Sequence, residues 1–272
     1  MTLESLNFVS IATNSYLDFW KKQALSLDKF LESDSSAKIL LLTDQVNAAK
    51  TFADQLEKIS IEIFEIPNYG WPEATLLRYE ILANSPIDWS SNDVFIYLDA
   101  DMEAVDAITP SDFIDTEIDA MTLVTHPGPY RPSGMELLAL YVSHPFVLLI
   151  DLISLIRKGG LGAWEVRKAS KAYVPRAQRS NYYCGAIWWG RGQHFLEMID
   201  ALAIRTSQDS ANGVMARWHD ESHLNWWATA NSHNAKSPAF CFAPNLRWLD
   251  RVRPIIMAVD KGSFVRSSTS IK

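Results

Sequence analysis

The first hundred residues alternate between two hydrophobic rhythms. Phe8 to Ala12 reads as a strand, and Tyr16 to Leu31 follows at helical spacing with Leu17, Phe19, Trp20, Ala24, Leu25 and Leu27 on one stripe. Lys38 to Asp44 is an apolar run that predicts a buried strand, and Val46 to Leu56 a second helix. Ile61 to Ile66 predicts a third strand, Glu73 to Ala83 a third helix, and Asp93 to Leu98 a fourth strand ending in Asp99-Ala100-Asp101. Repeated βα units imply a mostly parallel sheet with helices on both faces and a ligand site at the carboxyl ends of the strands.

Farther along, Ser133-Gly134-Met135-Glu136 has the form of a capping box, and Leu137 to Val142 predicts a short apolar helix behind it. Pro145 suits the first turn of a new helix from Phe146 to about Lys158, which Gly159-Gly160 ends. Leu137 to Ile156 is about long enough to span a bilayer, but the break at Pro145 and the charge on Asp151 argue against a spanning helix. Asp151, Ser154, Arg157 and Lys158 recur every three to four positions and leave a wide apolar face. That face has to be covered by the body of the protein, by a second subunit or by a membrane interface. The expectation is a lid packed on the protein or on a partner subunit, with membrane contact as the alternative.

Composition narrows the class. A 272-residue chain with 48% hydrophobic and 21% charged residues is globular, and it is treated as one catalytic domain over 1–272, with halves 1–103 and 104–272. A formal net charge of −7 without a basic stripe argues against nucleic acid. Cys184 and Cys241 are too few for a disulfide framework. Met1 runs almost directly into the first strand with no signal-peptide pattern, so a cytoplasmic location is expected, peripheral at a membrane if residues 134–160 make that contact. Ten tryptophans suit either a carbohydrate site or a core, and composition does not choose.

Two constellations carry candidate chemistry. If the segment after the fourth strand is extended, Asp99 and Asp101 point to one side, and two hard oxygen donors suit Mn²⁺ or Mg²⁺ shared with a diphosphate. Trp218-His219-Asp220-Glu221-Ser222-His223-Leu224-Asn225 is the densest polar run of the second half. His219 and His223 have the spacing of zinc ligands on a helix, but Glu221 falls between them, on another side of the helix, so a zinc hydrolase is disfavoured. Gly190-Arg191-Gly192 resembles a phosphate cradle only superficially.

These pieces together resemble the family 6 glycosyltransferases, which include the histo-blood-group A and B transferases and α-1,3-galactosyltransferase. The likeness runs in order through Ile11 to Tyr16, Thr43-Asp44-Gln45, Leu77 to Glu80 and Tyr97 to Glu103. It continues through His126-Pro127-Gly128, Ala172 to Pro175, Tyr182 to Ala186, Ala211-Asn212-Gly213, the Trp218 to Asn225 octapeptide and Ala258 to Lys261. The resemblance implies a GT-A fold, with a Rossmann-like nucleotide-binding half fused to an acceptor-binding half. It also implies retaining α-1,3 transfer of GalNAc or Gal from a UDP-sugar to a galactoside acceptor.

Carried over residue by residue, the resemblance puts Ile11, Ala12, Thr13 and Tyr16 at the uridine, Arg78 on the donor, and Asp99, Ala100 and Asp101 at the metal and ribose. Lys261 and Arg266 match a basic tail that closes over the diphosphate. Glu221 matches the catalytic carboxylate beneath the anomeric carbon, as nucleophile or as charge stabiliser, and also borders the acceptor. Asp220 would bond donor-sugar hydroxyls, and His126, Trp218 and His219 match the acceptor region. Cys184, Gly185 and Ala186 match the wall facing the sugar's C2 substituent; a small Cys184 favours GalNAc and Ala186 pulls toward galactose. Some bacterial members replace the two aspartates by asparagines and work without metal, whereas this chain keeps both. Ala243 stands where mammalian members carry an acceptor-holding acid, which leaves acceptor identity open. The alternatives are a UDP-hexose transferase of other donor specificity and a catalytically silent carbohydrate-binding module.

Overall fold

A computed structural model of the chain describes residues 5–32, 37–70, 72–89, 92–114 and 117–259. Strand β1 (Leu6–Ile11) leads into helix α1 (Tyr16–Phe30), β2 (Ala37–Thr43) into α2 (Val46–Ala53), and β3 (Ser60–Glu65) into two short helices, α3 (Glu73–Leu76) and α4 (Arg78–Ala83). Strands β4 (Val94–Leu98) and β5 (Met102–Ala104), helix α5 (Ser111–Ile114) and strand β6 (Thr122–Thr125) come next. The helices α6 (Gly134–Ser143) and α7 (Pro145–Lys158) follow, then β7 (Tyr183–Arg191), α8 (Gly192–Ala211), α9 (His219–Ala230), β8 (Asn234–Lys236) and β9 (Ile256–Ala258).

Seven strands form one sheet in the order β3-β2-β1-β4-β7-β6-β8, and β5 pairs with β9 separately. The β3-β2-β1-β4 half is parallel, as the βα rhythm predicts. Strand β7 enters antiparallel to β4 and to β6. One apolar cluster lies on each face: Phe8, Trp20, Leu27, Phe113 and Trp189 on one, Val9, Tyr79, Tyr97, Trp188 and Phe195 on the other. The tryptophans are largely core filler; Trp20, Trp164, Trp188 and Trp189 are fully buried, while Trp218 is half exposed.

Several local expectations are corrected. The helix read over Glu73 to Ala83 is broken at Leu77, so that Arg78 and Tyr79 open a new helix and turn inward. The Asp99-Ala100-Asp101 segment is a turn and not an extended stretch, because β4 ends at Leu98 and the Met102 N–H donates back to the Asp99 carbonyl at 3.0 Å. Gly190-Arg191-Gly192 is no phosphate loop; Gly190 lies in β7, where a side chain would collide with Met121. Ser133 is the N-cap residue of α6 but makes no side-chain cap, and Glu136, the other member of the box, pairs with Arg251 at 2.9 Å.

Pro145 at the first turn and Gly159 in the left-handed conformation (φ 75°) bound α7 as predicted. The expected packing of the apolar face on the body of the protein is not found. Asp151 points inward, 2% exposed, and is gripped by Arg131 through Nε and Nη2, both at 2.7 Å, with the Tyr141 hydroxyl at 3.0 Å. Turning the charge inward turns the apolar side chains of α7 outward.

Candidate active site

The carboxyl ends of β1 and β4 open into a solvent-connected cleft. Ile11, Thr13, Tyr16, Tyr69, Thr75, Arg78, Tyr97, Asp99, Ala100 and Asp101 line it. Seven of the fourteen expected donor-side residues therefore converge here, with Ala12 just behind, fully buried and donating its N–H to the Leu42 carbonyl. The β1–α1 turn is held in a strained shape: Asn14 has φ 53°. Its N–H donates to Asp44 Oδ1 at 3.1 Å, and its carbonyl accepts from Gln45 Nε2 at 2.6 Å. The Thr43-Asp44-Gln45 segment thus shapes the cleft without lining it.

Arg78 joins the cleft to the second half of the chain. Its Nη2 bonds Asp99 Oδ1 at 2.7 Å, and its Nη1 reaches Asp220 Oδ2 at 2.5 Å and the Gly185 carbonyl at 2.8 Å. The Tyr97 hydroxyl donates to the same Asp99 oxygen at 2.8 Å, and the guanidinium lies over the Tyr97 ring. Burial opposes the charge on Arg78, yet Asp220 and Asp99 hold its pKa well above the ordinary value. Burial raises Asp99 and Asp220 to about 6 each despite that partner, and the neighbouring Asp101 adds to the repulsion on Asp99. With 7% of its side chain exposed, Arg78 is a positioning residue as well as part of the cleft wall.

Behind this bridge, Glu221 stands in the first turn of α9. Tyr182 donates its hydroxyl to Oε1 and Gly185 its N–H to Oε2, both at 2.9 Å. Burial raises the Glu221 pKa, and those two donors together with Arg78 moderate the rise. Gly185 allows the close approach, since a Cβ there would sit a tight 3.1 Å from the Glu221 Cβ. His126 brings Nε2 to 4.0 Å from Glu221. Its Nδ1 accepts from the Gly128 N–H at 3.0 Å, which places the ring proton on Nε2. Burial lowers its pKa to about 4, so at neutral pH it is a neutral donor and not a base.

The other expected positions are more dispersed. Cys184 is a free thiol, 5% exposed and hydrogen-bonded to the free Cys241, which with burial raises its pKa, so it underlies the wall beside the half-buried Ala186 instead of projecting into the cleft. Trp218 and His219 sit at the start of α9; His219 (φ 44°) lines a separate groove with Glu73, Leu77 and His223. His223 is buried against Asp209 at 3.4 Å, with burial lowering its pKa to about 4, so the two histidines form no zinc pair. Lys261 and Arg266 lie outside the described residues.

Sequence reading missed Tyr182, Tyr97 and Gln23 as site residues. Gln23 interrupts the apolar stripe of α1, and that was its signal. It is buried, lies 2.7 Å from Ser10 Oγ and donates to the Asp99 carbonyl at 2.6 Å.

Among the described residues no cluster of three or more His, Cys, Asp or Glu is placed to hold a metal. The two cleft carboxylates repel one another, and a divalent cation shared with ligand oxygens would relieve that repulsion. Asp101 and Asp99 therefore fit a cation only in company with a substrate.

Such a sheet, cleft and buried carboxylate fit a transferase. Residues 160–266 match Glycosyltransferase family 6. The O-antigen biosynthesis glycosyltransferase WbnI of Escherichia coli is 25% identical over 224 residues, covering 82% of this chain and 81% of that protein. Globoside alpha-1,3-N-acetylgalactosaminyltransferase 1 of Gallus gallus is 33% identical over 88 residues, 32% of this chain and 24% of the relative. Histo-blood group ABO system transferase 2 of Rattus norvegicus is 42% identical over 62 residues, 23% of this chain and 19% of the relative. The chain thus matches a quarter or less of these vertebrate proteins. Residues 160–266 thus carry the likeness to glycosyltransferase family 6, and the mostly parallel seven-stranded sheet is consistent with a GT-A-like fold.

Proposed function

We propose that the protein transfers GalNAc or galactose from a UDP-sugar to a galactoside in α-1,3 linkage with retention of configuration. The observation that carries this reading is Glu221, fixed by Tyr182 and Gly185 and joined by Asp220 and Arg78 to the Asp99 cleft. Uridine would occupy the pocket of Ile11, Thr13 and Tyr16, leaving the diphosphate toward Asp99 and Asp101. A divalent cation held there by Asp101 and Asp99 would neutralise charge on the leaving diphosphate. Arg78 fixes the distance between the two half-sites. Glu221 faces the anomeric carbon and offsets its positive charge, as nucleophile or as electrostatic partner. His126, with its proton on Nε2, donates to the glycan acceptor on that side. The hairpin of α6 and α7 is the part of the chain that meets a further surface.

A donor screen tests the reading. UDP-GalNAc and UDP-Gal are offered with Mn²⁺ and galactoside acceptors, and UDP release, product mass and anomeric coupling are measured. An α-linked product from either donor is expected. A β-linked product, or no transfer from any UDP-hexose, would overturn it.

A further inference from the structure

Ten of the sixteen large hydrophobic side chains left exposed among the described residues fall between Met135 and Ile156. Phe146 (78%), Met135 (77%) and Val142 (76%) are the extremes, and only Leu140 on α6 and Asp151 on α7 are buried. A water-facing hairpin would carry its charge outside and its leucines inside, and this one does the opposite. No single helix among the described residues is long and apolar enough to cross a membrane, and α6 and α7 meet at 110°. Two short apolar helices bent this sharply suit the plane of a lipid interface.

Charge selects the occupant. Between residues 157 and 179 there are seven Lys and Arg against one acid, Glu165, in a chain of net charge −7. Arg157 and Lys158 form the last turn of α7. Arg176 donates to the Leu155 carbonyl at 3.0 Å and Arg179 to that of Lys158, so the basic segment is fastened to the end of the apolar helix. An apolar face with a basic end complements acyl chains beneath anionic headgroups.

The hairpin is also tied to the reaction centre. Arg131, which grips Asp151, donates to the carbonyls of Gly128 and Tyr130 and lies over the Trp248 ring. Trp248 in turn donates its indole N–H to Pro127 at 2.8 Å. That loop carries His126 to Glu221. We propose that α6 and α7 seat the protein in the interface of an anionic membrane, and that the acceptor is a glycan carried on a lipid in that membrane. The second clause rests on the transferase reading, and the first does not.

Flotation of the full chain with phosphatidylcholine–phosphatidylglycerol vesicles tests the docking. The wild type should float with these vesicles and remain behind with phosphatidylcholine alone. The F146S/I150S/I156S variant, altered only at exposed positions, should stay at the bottom of the gradient. R157Q/K158Q should weaken partition by about fivefold per charge removed. Failure of the wild type to float overturns the proposal. So does a dimer, seen by light scattering, that the triple serine variant dissolves and vesicles do not. In transfer assays the triple variant should slow reaction on a vesicle-borne glycolipid while leaving a free oligosaccharide unaffected. Equal rates on the vesicle glycolipid for both proteins would remove the lipid-acceptor clause. Absence of transfer in every arm would sink the transferase reading and leave flotation to decide the docking.

Discussion

Replacing Arg78 by Gln removes one guanidinium from between two buried carboxylates, and the structure gives the size of the effect. Asp220 has 5% of its side chain exposed, and Arg78 is the charged partner that answers it, helped by backbone N–H groups at the start of α9; Asp99 retains 26% exposure, and water takes up part of its loss. Breaking a buried pair costs about 3–5 kcal/mol, and partial solvation of Asp99 argues for the middle of that range. Urea unfolding at pH 7.5 should show a deficit of about 4 kcal/mol, with Tm lowered by roughly 10 °C. Acid should narrow it. Both carboxylates have folded pKa values near 6 against an ordinary 3.8. An acid whose folded pKa is raised takes up protons on folding, so its contribution to stability falls as pH rises through that window. Without Arg78 both values climb further, and the variant loses more over the same rise than the wild type. The deficit should therefore be largest above about pH 7 and shrink as pH drops below 6. Arg78→Lys should recover part of the stability, since it restores charge without the fork. A deficit under about 1 kcal/mol, or one equal at pH 7.5 and 5.5, would refute the bridging role.

The remaining predictions concern transfer itself. Glu221→Gln should lower kcat by roughly 10²-fold or more with donor Kd almost unchanged; a loss below about threefold would remove the assignment. EDTA should abolish transfer and Mn²⁺ restore it, and Asp101→Asn should cripple the metal-supported rate; full activity of that variant in EDTA would remove the metal role. Gly185→Ala pushes a methyl group against the Glu221 Cβ and should lower kcat on the order of tenfold while UDP binding persists, as read by calorimetry. Asn14→Ala removes side-chain bonds to Asn68 and the Tyr69 carbonyl from a residue at positive φ, so UDP affinity should fall while the Glu221-dependent step is preserved; unchanged UDP affinity would show that the turn does not shape the pocket.

The parallel half of the sheet was legible because each βα unit carries its own periodicity, and the cleft followed from where four strands end. Local pattern could not announce β7, whose antiparallel entry depends on partners in β4 and β6 far away in sequence. Arg78 was visible only as a motif residue; its burial arises from Asp99 and Asp220, contributed by segments on either side of β7. The hairpin shows the limit of amphipathic reasoning most clearly. The spacing of Asp151, Ser154 and Arg157 located two faces correctly, but which one turns inward was decided by Arg131, twenty positions upstream of Asp151.

The place of β7 also sets a problem of timing. While the chain is being made, β1 to β4 can pair as soon as they emerge, but the outer edge of β4 waits for Ile187–Arg191. At ribosomal speed that interval is on the order of ten seconds. Throughout it Val94 to Leu98 presents open backbone groups along an apolar strand, the kind of edge that recruits foreign strands. Arg78 meanwhile has Asp99 but neither Gly185 nor Asp220. The nascent β1–β4 half is therefore the stage most exposed to aggregation, and slowing synthesis between residues 100 and 187 should lower the soluble yield more than slowing it elsewhere.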